Sequence, residues 1–136
     1  ATPDAIKAIK RWGSGIVLCL MERGERGRMG LADLDLWVDQ AGMTFVEAPI
    51  NDYSAPDSGF LAAWPDLKDD LFRRLEAGEK VFLHCRAGLG RSGTITAALL
   101  ISGGMDPDNA IHAVRAVRPG AIETSGQVEW LRSLIP

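Results

Sequence analysis

A chain of 136 residues, 46 % hydrophobic and 24 % charged, has the size and make-up of one globular domain able to bury about two-thirds of its unfolded surface. A net charge of −3 without a dominant basic patch argues against nucleic acid as a partner, and two cysteines without paired spacing argue against a disulfide scaffold and for a reducing, cytoplasmic setting. No signal peptide is read, and no apolar run nears the roughly 18 residues of a membrane span.

Thr2-Pro3-Asp4 opens a first helix, with Ala5, Ile6, Ile9 and Trp12 as its stripe and Gly13 as its stop. Ile16 to Leu20 reads as a buried strand. Met21 to Gly30, with three glycines, three arginines and two glutamates, is expected to be a mobile, solvated loop whose arginines could meet a substrate. Leu31 to Gln40 carries Leu34, Trp37 and Val38 at helical spacing, and Gly42 stops it. Thr44 to Ala48 is a second strand, and Pro49 to Asp57 a proline-bracketed loop leaving it. Pro65 reads as the first residue of a helix carrying Leu67, Leu71 and Leu75, which places Asp66 in a first turn, favourable to the helix dipole.

Val81 to His84 is a third strand, and a helix runs from Ser92 to Ser102, where Ala97 and Ala98 permit close packing before Gly103-Gly104 ends it. Asp106-Pro107 caps a helix reaching Val117, with Ile111, Val114 and Val117 on one face. His112 within it is expected to be structural or exposed. Arg118 to Ala121 is an exposed turn, and Thr124, Ser125 and Gln127 precede a last helix with Val128, Trp130, Leu131 and Leu134. The alternation predicts an α/β single domain over residues 1–136, a central, largely parallel sheet flanked by helices. The loop after His84 should then lie at the carboxyl end of a central strand, where ligands bind in open α/β sheets.

That loop carries the chemistry. Inward-pointing amides across Arg86, Ala87, Gly88, Leu89 and Gly90, joined by a helix start, make an anion cradle. Cys85 opens it and Arg91 closes it, so a thiol and a guanidinium can face one phosphate. A free thiol is only about 3 % thiolate at pH 7, and making the reactive form dominant takes roughly 2.7 kcal/mol. A helix N-terminus supplies about 0.3–1 kcal/mol, up to about 2 when partly buried. Loop N–H groups, the Arg91 charge and the Ser92 hydroxyl are the candidates for the remainder.

Competing readings are weaker. Gly88-Leu-Gly90-Arg-Ser-Gly93 formally satisfies a dinucleotide-binding fingerprint, but Cys85, Arg86 and Ala87 separate the strand from the first glycine, and no acidic residue ends a following strand. No Gly-Lys-Ser/Thr is present for a nucleotide P-loop. An inert cysteine before a glycine turn leaves the spacing of Arg91 unexplained. Cleavage of a phosphate ester also needs a proton donor for the leaving oxygen, and Asp52 on the 49–57 loop is the candidate. Asp57 is the alternative, though its place before a helical segment suits an N-cap. No zinc spacing exists, and neither metal nor other cofactor is expected.

His84-Cys85, five residues, then Arg91-Ser92 resembles the signature of cysteine-dependent protein tyrosine and dual-specificity phosphatases. The pattern from Ile16 to the last helix is similar to the small dual-specificity group, particularly its kinase-associated and cell-cycle members. The resemblance implies that Cys85 attacks phosphorus, Arg91 clamps the phosphoryl oxygens, His84 helps to set the environment of the cysteine and Ser92 assists breakdown of a phosphocysteine. It also implies that Pro49-Ile50-Asn51-Asp52, 33 residues before the cysteine, is the general-acid loop. Gln127, 42 residues after the cysteine, would place the hydrolytic water, and Arg118 would be a lesser substrate contact. Trp64-Pro65-Asp66 matches the acid triplet of larger tyrosine phosphatases but is read as coincidence, being only 19 residues ahead of Cys85. The family usually has a strand before the first helix, so the chain is expected to begin inside a longer protein or to lack that strand. The implied partner is a phosphorylated protein. Phosphoinositide phosphatases of this type often carry extra lysines where this loop has Arg86 and Leu89. A phosphate-recognition module without turnover is the non-enzymatic alternative. Thiol redox chemistry between Cys85 and Cys19 is a third, against the expectation that Cys19 is core. The sequence leaves the oligomeric state open.

Overall fold

The computed structural model describes residues 3–85 and 90–135, which fall into two compact units: Ala1–Pro49 with Ala62–His84, and Ile50–Leu61 with Cys85–Pro136. The first unit holds α1 (Pro3–Trp12), β1 (Ser14–Cys19), α2 (Arg23–Arg28), α3 (Leu34–Gln40), β2 (Thr44–Glu47), most of α4 (Ser58–Glu76) and β3 (Lys80–His84). Its three strands pair in parallel in the order β2-β1-β3, with Cys19 opposite Glu47 on one side and His84 on the other. Parallel strands need cover on both faces. β1 accordingly has no exposure from Ile16 to Cys19, and Ile6, Met21, Leu31, Leu34, Val38 and Met43 pack with Val17 and Cys19 in the core.

Several sequence expectations change here. The 21–30 segment is no solvated loop: residues 23–28 form α2, with Glu25 and Arg26 buried. Arg26 Nη2 donates to Glu47 Oε2 at 2.7 Å, and the guanidinium lies 5.3 Å from the Phe45 ring centroid. Buried charge persists because it is paired and lies over an aromatic face. α3 begins at Leu34 rather than Leu31, because Leu31 is taken up by the chain reversal, its N–H donating to Arg26 O at 2.8 Å.

Pro65 is not a helix start. α4 begins at Ser58, where Asp57 Oδ1 accepts the Phe60 N–H at 3.0 Å, and Pro65 sits in its interior. A proline there removes a backbone bond and costs about 3 kcal/mol or more. Its ring lies on the exposed face, while Phe60, Trp64 and Leu71 bury the opposite one. Leu75, expected in the apolar stripe, is exposed. β3 lies at an edge of the described sheet, with β1 rather than β3 at the centre.

The second unit holds the 50–57 loop, the first turn of α4, Cys85, α5 (Arg91–Ser102), α6 (Pro107–Val117) and α7 (Ser125–Arg132). α5 is buried from Arg91 to Ile95 and at Ala97, Ala98 and Ile101. Its small residues let chain approach closely: a Cβ on Gly93 would lie 3.1 Å from Ala121 Cβ and 3.3 Å from Ile122 N. Arg115 holds that approaching segment, donating from Nε to Ala121 O at 3.1 Å and from Nη2 to Ile122 O at 2.9 Å. Asp106 caps α6 by accepting the Asp108 and Asn109 N–H groups, as its Asp-Pro start predicts. The apolar face of α6 ends at Val114, however, since Val117 is exposed, as is His112. Among the described residues no helix is long and apolar enough to cross a membrane.

Candidate active site

Every described side chain with a predicted direct role in bond making or breaking belongs to the second unit. Cys85 follows the last residue of β3, and Gly90 directly precedes α5. Arg86, Ala87, Gly88 and Leu89, expected to line the phosphate cradle, lie outside the described residues. Gly90 does lie at the helix start: its carbonyl accepts the Thr94 N–H at 3.0 Å and Thr94 Oγ1–H at 2.6 Å. A Cβ on Gly90 would meet the Glu123 carboxylate, which would have to move to admit a side chain there.

Ser92 Oγ donates to Cys85 Sγ at 3.0 Å, and both residues are buried. One residue earlier, Arg91 is 2 % exposed. Its Nη1 donates to the Ile50 carbonyl at 3.1 Å and its Nη2 lies 3.6 Å from Asp52 Oδ1. The arginine therefore joins the helix start to the loop expected to carry the acid. Asp52 remains about one-third exposed, with side-chain exposure of 33 %, so water and substrate can reach it. The same Oδ1 accepts the Tyr53 N–H at 3.0 Å. Tyr53 has φ of +59°, a left-handed conformation that an aromatic residue adopts only under constraint.

Gln127 is fully buried in the first turn of α7. Its Oε1 accepts the N–H groups of Glu123 at 2.8 Å and Thr124 at 3.2 Å, and its Nε2 donates to Ser54 O at 3.1 Å. In return the Gln127 N–H donates to Thr124 Oγ1 at 3.2 Å, completing a capping box.

His84 lies in the first unit, its carbonyl accepting the Leu20 N–H at 2.8 Å. Burial, assisted by the Arg26 charge among others, pushes its pKa down, and its buried Nδ1 has no hydrogen-bond partner among the described residues. Cys19 is also in that unit, wholly buried, and burial pushes its thiol pKa up, which suits an inert core residue. Asp57 is an N-cap, and Asp66 is exposed well inside α4 in the first unit rather than in a first helical turn. Arg118 is exposed at the end of α6. Of the 21–30 arginines, Arg23 and Arg26 both pair with Glu47. Among the described residues no three His, Cys, Asp or Glu side chains gather as a metal-binding group. The sequence did not reveal the roles of the Ile50 and Ser54 carbonyls, since a backbone acceptor leaves no residue-type signal.

The sequence matches, over residues 1–105, the family described as polymorphic toxin system, DSP-PTPase phosphatase. It is 33 % identical over 126 residues to cyclin-dependent kinase inhibitor 3 of Rattus norvegicus, covering 90 % of this chain and 58 % of that protein. It is 34 % identical over 99 residues to protein tyrosine phosphatase type IVA 3 of Bos taurus, covering 73 % of this chain and 56 % of that one. The chain thus spans less than two-thirds of the length of these curated relatives. Among solved structures, kinase associated phosphatase with its catalytic cysteine replaced by serine aligns with a TM-score of 0.86 at 28 % identity, covering 95 % of this chain and 72 % of that one. Tk-PTP in its active form aligns with a TM-score of 0.82 at 30 % identity, covering 98 % and 88 %. The α/β architecture is that of these small phosphatases.

Proposed function

The chain belongs to the DSP-PTPase family of dual-specificity and tyrosine phosphatases, and from that premise we propose that it hydrolyses phosphorylated proteins through a phosphocysteine on Cys85. Residues 1–136 act as one catalytic domain, and a reducing cytoplasm suits a reaction that needs a free thiol. The observation that carries this reading is the continuous contact from Cys85 to Ser92 and from the adjoining Arg91 to Asp52.

The Cys85 thiolate attacks phosphorus as the bond to the leaving oxygen breaks, and Asp52 gives that oxygen its proton. Arg91 and the amides of residues 86–90 hold the three non-bridging oxygens, a charge-assisted clamp that tightens as charge spreads in the transition state. The incoming dianion competes with Asp52 for Arg91, which frees the carboxyl to face the leaving group. In the second step Asp52, now a carboxylate, takes a proton from water as the water oxygen attacks phosphorus and the S–P bond breaks. Ser92 donates to the departing thiolate. A neutral His84, kept so by burial, adds no cationic charge beside the cysteine.

Asp52→Asn tests the acid. It should slow an alkyl or unactivated aryl phosphate by roughly 10²–10⁴-fold, with a smaller loss on an activated aryl ester that needs little protonation. Asp66→Asn should leave that ratio unchanged. An Asp66→Asn enzyme that loses the acid requirement from its pH–rate profile, beside an Asp52→Asn enzyme that keeps it, would contradict the assignment.

A further inference from the structure

Gln127 has two lone pairs and two N–H groups to place, and both lone pairs and one N–H are committed to backbone. Its orientation is unambiguous, because the flipped amide would set NH2 against two N–H donors and oxygen against the Ser54 carbonyl. With no solvent exposure and a doubly used oxygen, this side chain is poorly placed to align a water. It is well placed for something else. Ser54 follows Asp52 by two residues, its N–H donates to Asn51 O at 3.1 Å, and its Oγ–H reaches Asp52 O at 3.5 Å. The Ser54 carbonyl therefore anchors the 51–54 turn. Inside that turn Tyr53 holds its left-handed backbone and donates its N–H to the Asp52 carboxylate. Such a conformation persists only where the surroundings over-determine it.

The geometry points to Gln127 as a positioning residue for the general acid: by gripping Ser54 O from the start of α7, it holds the 51–54 turn and so aims Asp52 at the leaving oxygen. This departs from the water-placing role that the family resemblance implies, and it rests on Asp52 being the acid. It also explains why the residue is glutamine. Glutamate would accept the same two N–H groups but would set a second acceptor against the Ser54 carbonyl.

Gln127→Glu is thus a selective test, read against Asp52→Asn and the double variant on an alkyl phosphate and an activated aryl phosphate. On the alkyl ester kcat/KM should fall about tenfold, equivalent to about 1.4 kcal/mol. On the activated ester kcat/KM, which reports the first step, should change by less than about threefold, and on either ester the double variant should be no slower than Asp52→Asn alone. Amide exchange at Tyr53 and Ser54 should quicken. Should the buried glutamate prevent folding, Gln127→Met removes the same donor with similar bulk and must give the same pattern. A burst whose slow phase becomes slower still when Gln127→Glu is added to Asp52→Asn would show Gln127 acting on the water independently of Asp52 and overturn the inference. Losses that multiply in the double variant overturn it as well. Full activity of Asp52→Asn on the alkyl ester would instead overturn the acid assignment and this role with it.

Discussion

Removing the Ser92 hydroxyl separates the two chemical steps. Ser92 Oγ lies 3.0 Å from Cys85 Sγ in a buried setting, so Ser92→Ala deletes a hydrogen bond to whatever charge the sulfur carries. Hydrogen bonds to charged groups contribute about 1.5–3 kcal/mol, which corresponds to roughly 10- to 150-fold in a rate that depends on one. The two steps feel this loss differently. In the first, a thiolate without its donor is less stabilised but more reactive, and the effects offset each other. In the second, the departing thiolate loses its donor outright. Stopped-flow measurement with an activated aryl phosphate should therefore show release of about one equivalent of phenol per enzyme. A steady state with kcat lowered by roughly 10- to 150-fold should follow. kcat/KM, which reports the first step, should move by less than about threefold, and Ser92→Thr should restore kcat. An unchanged kcat, or kcat and kcat/KM falling together with no burst, would refute the role of the hydroxyl as a donor to the leaving sulfur.

Two further predictions concern the scaffold. Burial lowers the pKa of His84, so below the unfolded histidine value of about 6.5 the unfolded chain takes up a proton that the folded chain resists. The contribution of neutral His84 to stability is thus fully present above the folded and unfolded values and is lost as pH falls through the window between them. Urea midpoints between about pH 7.5 and 5 should fall with acidity, and His84→Asn should flatten the slope. An unchanged slope would contradict it. Gly93→Ala pushes a methyl to 3.1 Å from Ala121 Cβ and 3.3 Å from Ile122 N, neither of which is a flexible side-chain end. Overpacking of this kind costs about 1–3 kcal/mol. A lowered Tm is expected, and an unchanged or raised one would mean that the 121–122 segment yields.

What could be read from the sequence was what is local. Cys85 and Ser92 sit at a fixed offset, and that spacing brings the hydroxyl to the sulfur. The cap at Asp106 was legible for the same reason. The buried side of α2 was not, because it carries Glu25 and Arg26. Arg26 is buried through a partner on β2, and no window of sequence contains that pairing. Pro65 misled because a proline usually marks a first turn, whereas here the stronger start signal was Asp57. The edge position of β3 follows from strand order, which alternation does not specify. Gln127 did leave a trace: Thr124 to Gln127 has the spacing of a capping box, which already commits the amide to backbone.

The central claim is a covalent intermediate on one sulfur, and it is read most directly from intact mass. Enzyme mixed with an activated aryl phosphate and quenched in acid should carry one phosphoryl group, mapped to Cys85 by peptide sequencing, and most abundant in Ser92→Ala. Cys85→Ser should carry none and turn over no substrate while still binding inorganic phosphate. A phosphoryl group on another residue, or turnover by Cys85→Ser above a few per cent of the wild-type rate, would contradict the mechanism.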